Sequence, residues 1–493
     1  MVRSSLLWII ISVTICTQCR YGENEMPSRP NVLFIAVDDL RPELGCYGAT
    51  HVSTPNFDRL AEMSTLFTQA YCQQAVCAPS RNSIMTGLRP DAMGIYNLYT
   101  FFRKQVPGVT TLPQHFKNNG YFTERIGKIY HTGHGNLDDS LSWSQPAAKL
   151  WRPEIVTRGD TVGLERDFPA INEKKLPFYR SSQPEKNMSD VVSTDYAVKR
   201  LGQLKDTAFF FAVGFSKPHL PFVAPAKYWD LYNPGKIEIP SRTVPEGMPG
   251  VALHQFGELR KYHGIPEDGP LDDETSRNLI HGYYAAVSLV DAQIGKLLQA
   301  IEDNDLLDNT IIVLWGDHGW KLGDYGGWCK HTNFEVDTRV PLFIMNPKDR
   351  AGQKSNSIAE LVDLYPTICD LANLPLPDHL EGQSLIPILK DPTAKVKEVA
   401  LSQYPRGKSL GYDRKNEWMG YSLKSGNLRF TRWQKYENPN EVLAMELYDH
   451  SSGPVAIKNL AIDSNYTRDL ERMNNLLNQE LSKYHRHKPE KSD

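Results

Sequence analysis

At 493 residues, 40% hydrophobic and 23% charged, the chain has ordinary globular composition and is long enough for one large domain and a smaller one. A formal net charge of −3 excludes a globally polybasic surface, so neither nucleic acid nor an anionic membrane is the expected partner. An anionic substrate would have to be held by local charges.

The amino terminus carries Arg3, an apolar run over 6–13, then Cys16 and Cys19 before polar sequence, which is the layout of a secretory signal over residues 1–20. That run is shorter than the ~20 residues a spanning helix needs, and no other segment approaches that length. No membrane span is expected, and the expected destination is a periplasm, the exterior or a lysosome. Residues 31–37 (NVLFIAV) read as a buried strand that ends at Asp38-Asp39. Residues 56–63 follow Pro55, a residue common in a first helical turn. A second strand-like run, 208–215, leads into Lys217-Pro-His219, and a third, 310–315, into Gly316-Asp-His318. Residues 279–303 space their apolar side chains near 3.6 and predict a helix. A fourth apolar run covers 340–345. Stretches near 135–190 and 225–275, rich in Pro, Gly and polar residues, read as long loops over the sheet edge. The pattern changes around Asp391-Pro392. Beyond it come strand-like pieces at 399–403, 419–423, 428–431 and 445–448, then a helix over about 466–484. The expected fold is α/β, a large mostly parallel central sheet sandwiched by helices over 27–392. A smaller C-terminal subdomain on an antiparallel sheet is expected over 393–487.

Open α/β sheets bind ligands outside the carboxyl ends of their strands. Three strand ends with charged or metal-binding residues therefore suggest a single site. Asp38, Asp39 and Asp317 offer hard oxygen ligands, which favour Ca²⁺ or Mg²⁺ over zinc. Seen alone, consecutive aspartates are more often a cap or turn. His318 is the odd member, either a distant ligand or a hydrogen-bond donor. Arg81, Lys128, His131, His219 and Lys330 supply positive charge, and Lys128 and His131, three apart, can share one face of a turn. Cys46, Cys72, Cys329 and Cys369 are scattered with no C-x-x-C pair, which argues against a disulfide framework and structural zinc. Bridges and buried thiols both remain open for them. Asn187-Met-Ser and Asn465-Tyr-Thr are glycosylation sequons, meaningful only in a eukaryotic secretory route.

Residues 77–81, Cys-Ala-Pro-Ser-Arg, have the form Cys-x-Pro-x-Arg. With NVLFIAVDDLRPELGCYG (31–48), GKIYH (127–131), KPHLPF (217–222), GDHGWKLGDYGGWCKHTNF (316–334) and SQYPR (402–406), the chain resembles the type I sulfatases of the alkaline phosphatase superfamily. Within them it is most similar to the iduronate-2-sulfatase-like branch.

The resemblance implies a sulfuric ester hydrolase acting on a sulfated uronic acid or related glycan sugar. A formylglycine-generating maturase would oxidise Cys77 to an aldehyde whose hydrate attacks sulfur. The sulfated enzyme that results can expel sulfate through its second hydroxyl, a route that serine lacks. One Ca²⁺ would be held by Asp38, Asp39, Asp317, His318 and the oxygen at position 77. Arg81 and Lys128 would steady the nucleophile, with His131 in support. His219 and Lys330 would bind sulfate, His219 also protonating the leaving oxygen. Arg41, Trp320, His331, Gln403 and Arg406 would line the sugar pocket. For Arg41 an internal acid is the equal alternative to a uronate carboxylate. Lys330-His331 replaces the more usual Lys-Tyr pairing, so His331 could add a cation there. The segment after Arg406 is shorter than in the animal enzyme, which leaves the sugar open. The rival readings are a sulfatase for another polysaccharide, a phosphonate or phosphate monoester hydrolase, and a silent glycan-binding relative.

Overall fold

The computed structural model describes residues 29–134, 136–148, 170–171, 174–254, 257–407 and 417–484. The signal expected over 1–20 and much of the first long loop lie outside the described residues. Seven strands, β1 (Asn31–Val37), β2 (Thr65–Tyr71), β3 (Phe122–Gly127), β4 (Phe209–Phe215), β5 (Thr310–Gly316), β6 (Arg339–Met345) and β7 (Gln353–Glu360), make the central sheet. Their order is β7-β2-β6-β5-β1-β4-β3. All run parallel except β6, which is antiparallel to both β5 and β2. The apolar run at 340–345 is therefore the strand of opposite sense in this mostly parallel sheet. A strand buried on both faces is apolar throughout in either direction, so its composition cannot report its polarity.

Alternate side chains of β1 build the two cores. Val32, Phe34 and Ala36 pack with α2 (Cys77–Thr86), α3 (Leu112–Asn118) and α6 (Leu364–Leu371). Leu33, Ile35 and Val37 pack on the other face with α1 (Pro55–Ala61), α4 (Ser189–Leu204) and α5 (Asp273–Asp303). Helix α5 starts six residues before the predicted apolar stripe because Asp272 caps it, its Oδ1 accepting from the Thr275 amide at 2.7 Å. No described helix is long and apolar enough to cross a membrane.

Four antiparallel strands follow in sequence order, β8 (Ala400–Arg406), β9 (Trp418–Ser425), β10 (Leu428–Lys435) and β11 (Val442–Asp449). Helix α7 (Thr467–Lys483) covers one face, setting Met473 and Leu477 against Met419, Tyr421, Leu423, Phe430 and Leu447. β8 joins the two sheets at the approach to Cys77. The Gln403 amide donates to Gln73 O at 2.8 Å and the Ser402 hydroxyl to Cys72 O at 2.6 Å. Cys46, Cys72, Cys77, Cys329 and Cys369 are all buried free thiols, so the bridge alternative for the scattered cysteines is not realised.

On the small sheet, Glu446 is 2% exposed and accepts from Trp433 Nε1 at 2.6 Å and Tyr448 OH at 2.7 Å. Burial outweighs both bonds and pushes its carboxyl from the ordinary 4.5 up to about 7. The folded chain thus keeps a proton that the unfolded chain releases. This stability is complete below pH 4.5 and is lost as pH rises through 7. Glu446→Gln, neutral at every pH, should gain up to about 3 kcal/mol over the parent at pH 8 and little at pH 4.5. Urea unfolding at both pH values measures this; an equal difference at the two would contradict it.

Candidate active site

Val37 lies opposite Gly316 on one side and Phe215 on the other, so β1, β5 and β4 end level. Gly127 is likewise level with Gly214. The residues that follow, Asp38-Asp39, Asp317-His318, Lys217 to His219 and Lys128, therefore emerge along one edge. A Cβ at Gly214 would stand 2.2 Å from Lys128 O, so glycine is what lets β3 deliver Lys128 so closely. Asp39 has φ 59°, in the left-handed region that aspartate tolerates better than most residues.

Cys77 is the first residue of α2, a helix buried along its whole length. Four residues on, the fully buried Arg81 donates from Nε to Asp317 Oδ2 at 2.8 Å and from Nη2 to Asp38 Oδ1 at 3.0 Å. Its Nη1 donates to the carbonyls of Lys128 and Ile129. Lys128 Nζ pairs with Asp38 Oδ2 and lies 3.9 Å from Cys77 Sγ. Against the cost of burial, Lys128 and Arg81 hold Asp38 well below the usual carboxylate range. Burial pushes the Cys77 thiol well up, Asp38 adding to the rise, so as a thiol it stays protonated and is a poor nucleophile.

His318 Nδ1 is 3.0 Å from Gly319 O and, as the donor there, leaves Nε2 turned to the cluster, 3.3 Å from Cys77 Sγ and 3.4 Å from Asp39 Oδ1. Candidate ligand atoms of Asp38, Cys77 and Asp317 lie within 4.8 Å of one another, as do those of Asp39, Cys77 and His318. This oxygen-rich, dry cluster fits a hard divalent cation. Asp38, Asp39 and His219 form a third such group.

Lys330 Nζ is 3.1 Å from both oxygens of Asp39 and lies over the Trp320 ring at 4.7 Å. His219 donates from Nδ1 to Leu220 O at 2.6 Å. Burial opposes its protonation, but Asp39 and Glu258 raise its pKa. Glu258, in a long loop, is the residue that sequence reasoning missed. It stands 3.0 Å from His219 Nε2 and 2.9 Å from Lys330 Nζ. A lone glutamate in irregular sequence carries no spacing signal that would have exposed it. His131 has two buried ring nitrogens without hydrogen-bond partners among the described residues, and burial, reinforced by Lys128, lowers it to about 3.

The residues expected around the sugar divide into two groups. Arg41 is held inside the protein by Asp324 at 2.9 Å, Glu43 at 3.0 Å and Trp320 O at 3.2 Å. Arg41 thus has internal partners, the buried Asp324 and the part-exposed Glu43. Trp320 is fully buried beneath Lys330 and does not line an open wall. Gln403 is also internal, donating to Asp91 Oδ1 at 2.8 Å. His331 and Arg406 do adjoin Lys330: Arg406 Nη2 donates to His331 O at 2.8 Å. His331 brings no cation, because burial first, then His254 and Lys330, keeps its ring neutral.

Residues 30–374 match the family model "Sulfatase", and residues 323–484 match "N-sulphoglucosamine sulphohydrolase, C-terminal". Iduronate 2-sulfatase of Homo sapiens is 34% identical, covering 93% of this chain and 96% of the relative. A sulfatase of Formosa agariphila is 30% identical over 93% of this chain and 89% of its own. Among solved structures, the phosphonate monoester hydrolase SpPMH from Silicibacter pomeroyi superposes with TM-score 0.74 at 22% identity, over 93% of this chain and 96% of its own. BT4656 in complex with D-glucosamine-2-N,6-O-disulfate gives TM-score 0.73 at 22% identity, over 94% and 100%. Those two likenesses concern the fold. The family model and the sequence relatives, which run through every strand end described above, show that this chain belongs to the sulfatase family and is a sulfuric ester hydrolase.

Proposed function

We propose that the chain removes the 2-sulfate from a sulfated uronic acid or a closely related glycan sugar, with formylglycine at position 77 and one calcium ion. The observation that carries this reading is the position of Cys77, at the head of a buried helix between Lys128 Nζ and His318 Nε2. The human relative, an iduronate 2-sulfatase, supports sulfate esters of sugars as the substrate class. A secretory signal over 1–20, outside the described residues, would export the enzyme to a periplasm, the exterior or a lysosome.

Asp38, Asp39, Asp317 and His318 would hold calcium, which when bound supplies charge to polarise the ester and acidify the attacking hydroxyl. Formylglycine would supply, as its hydrate, the hydroxyl nucleophile that a protonated thiol does not. Arg81 helps keep Asp38 ionised and, by its bonds to both, aims Asp38 and Asp317. Lys128 steadies developing charge beside position 77, and Lys330 takes a nonbridging oxygen of the ester. His219 holds at Nε2 the proton given to the leaving sugar oxygen. Neutral His131, its ring nitrogens unpartnered among the described residues, accepts a hydrogen bond from the nucleophile's hydroxyl. His331 and Arg406 border the sugar, with Arg41, Trp320 and Gln403 supporting that wall from behind.

Protein co-expressed with a formylglycine-generating maturase should desulfate uronate 2-sulfate disaccharides in preference to hexosamine 6-sulfate or galactose sulfates, followed by mass loss. Cys77→Ser should lose at least about 10³-fold in turnover; full multiple turnover by that variant would end the formylglycine mechanism. Chelation should abolish activity and lower the thermal midpoint, both restored by Ca²⁺ and not by Zn²⁺; an unmoved midpoint and rate would remove calcium. Arg41→Ala should cost about 3 kcal/mol or more in denaturant unfolding, because it strands two acids. Its kcat/KM should fall equally on uronate 2-sulfates and uncharged aryl sulfates. A loss confined to the uronate would give Arg41 back its substrate role.

A further inference from the structure

The two cations assigned to the ester, His219 and Lys330, share an anion belonging to the protein. Glu258 reaches one with each oxygen, His219 Nε2 from Oε1 at 3.0 Å and Lys330 Nζ from Oε2 at 2.9 Å. It differs from the other acids here. Asp38, Asp39 and Asp317 are closed off from solvent, at 0% exposure, and their oxygens belong to the metal-ligand groups. The Glu258 side chain keeps 22% exposure and belongs to none of those groups. Against burial, Lys330 and His219 hold its carboxyl well below the ordinary glutamate range, so it carries a full negative charge at neutral pH.

A ligand oxygen that meets His219 and Lys330 meets Glu258 as well. Charges a few ångström apart in a partly buried site interact strongly and are little screened by salt. A sulfate monoester brings one negative charge. A phosphate monoester brings nearly two above its second ionisation, near about pH 6. The chemistry of attack is otherwise shared, and a phosphonate monoester, tetrahedral at phosphorus, again carries only one charge.

We propose that Glu258 is a specificity-determining residue that filters esters by charge, admitting monoanions to His219 and Lys330 and disfavouring dianions. The filter lowers affinity for the wrong substrate by repulsion and needs no contact unique to the right one. It rests on the assignment of His219 and Lys330 to the ester oxygens.

The test compares kcat/KM of the mature, calcium-loaded enzyme on 4-nitrophenyl sulfate, 4-nitrophenyl phosphate and the phosphonate monoester 4-nitrophenyl phenylphosphonate, near about pH 8 where the phosphate is dianionic. Competitive inhibition constants of the same three esters give the ratios where turnover is too slow to read. Glu258→Gln should raise the phosphate-to-sulfate ratio about tenfold or more. The phosphonate-to-sulfate ratio should stay within about twofold, since both esters carry one charge. Glu258→Asp, which keeps the charge, should discriminate like the parent. An unmoved phosphate ratio in a Glu258→Gln protein with the parent's thermal midpoint would overturn the proposal. Phosphate and phosphonate rising together would overturn it too, because the filter would then sense the element and not the charge. Lys330→Ala and His219→Ala separate the two layers. If neither weakens the sulfate ester, the underlying assignment has failed; if both do while Glu258→Gln leaves the ratios flat, the filter alone has failed.

Discussion

Three carboxylates with no solvent exposure lie at the ends of two neighbouring strands, and the two strand ends are held together by Arg81. Moving an ion out of water costs several kcal/mol unless a partner and hydrogen bonds compensate. The Arg81 guanidinium bridges Asp38 of one strand end to Asp317 of the other and donates from Nη1 to the carbonyls that follow β3. It also lies over the Trp315 ring at 5.5 Å. One side chain thus ties three strands and a helix together. Because Cys77 and Arg81 are four apart on α2, they share a helix face. Anchoring the arginine therefore fixes the direction in which residue 77 points. The helix has no polar outer side to orient it otherwise, being buried from Cys77 to Thr86.

How legible this was in sequence depends on how local each signal is. β1, β4 and β5 stood out because strands covered on both faces are continuously apolar, and the site residues follow them within a few positions. β2, β3 and β7 did not, since TLFTQAY, FTERIG and QKSNSIAE mix Thr, Gln, Glu and Lys into their runs. β3 and β7 are the sheet's edges, where one side of the strand has no neighbour to demand uniform burial. The partners of the expected pocket residues were hidden for a different reason. Arg41 finds Asp324 across 283 positions and Gln403 finds Asp91 across 312, pairings that no local pattern encodes. Resemblance named those residues and said nothing of which way they face.

The C-terminal sheet belongs to the site more closely than its position in the chain suggests. Arg406, at the end of β8, donates to His331 O and to the carbonyls of Val251 and Ala252, clamping a loop beside Lys330. Its guanidinium is sandwiched by Tyr404 at 4.7 Å and Trp433 at 5.3 Å. Substrate-facing loops can then vary while their roots remain fixed to a rigid element.

The bond from the Ser402 hydroxyl to Cys72 O joins positions 330 residues apart. On a ribosome moving at about 5–20 residues per second, the two partners are made on the order of tens of seconds apart. During that interval the segment leading into Cys77 has left the tunnel, while the strand that will close over it has yet to be translated. Cys77, only 2% exposed in the finished protein, is therefore reachable while the chain is still being made and enclosed afterwards. The late position of β8 in the chain means that the contacts it makes to Cys72 and Gln73 are supplied only near the end of synthesis.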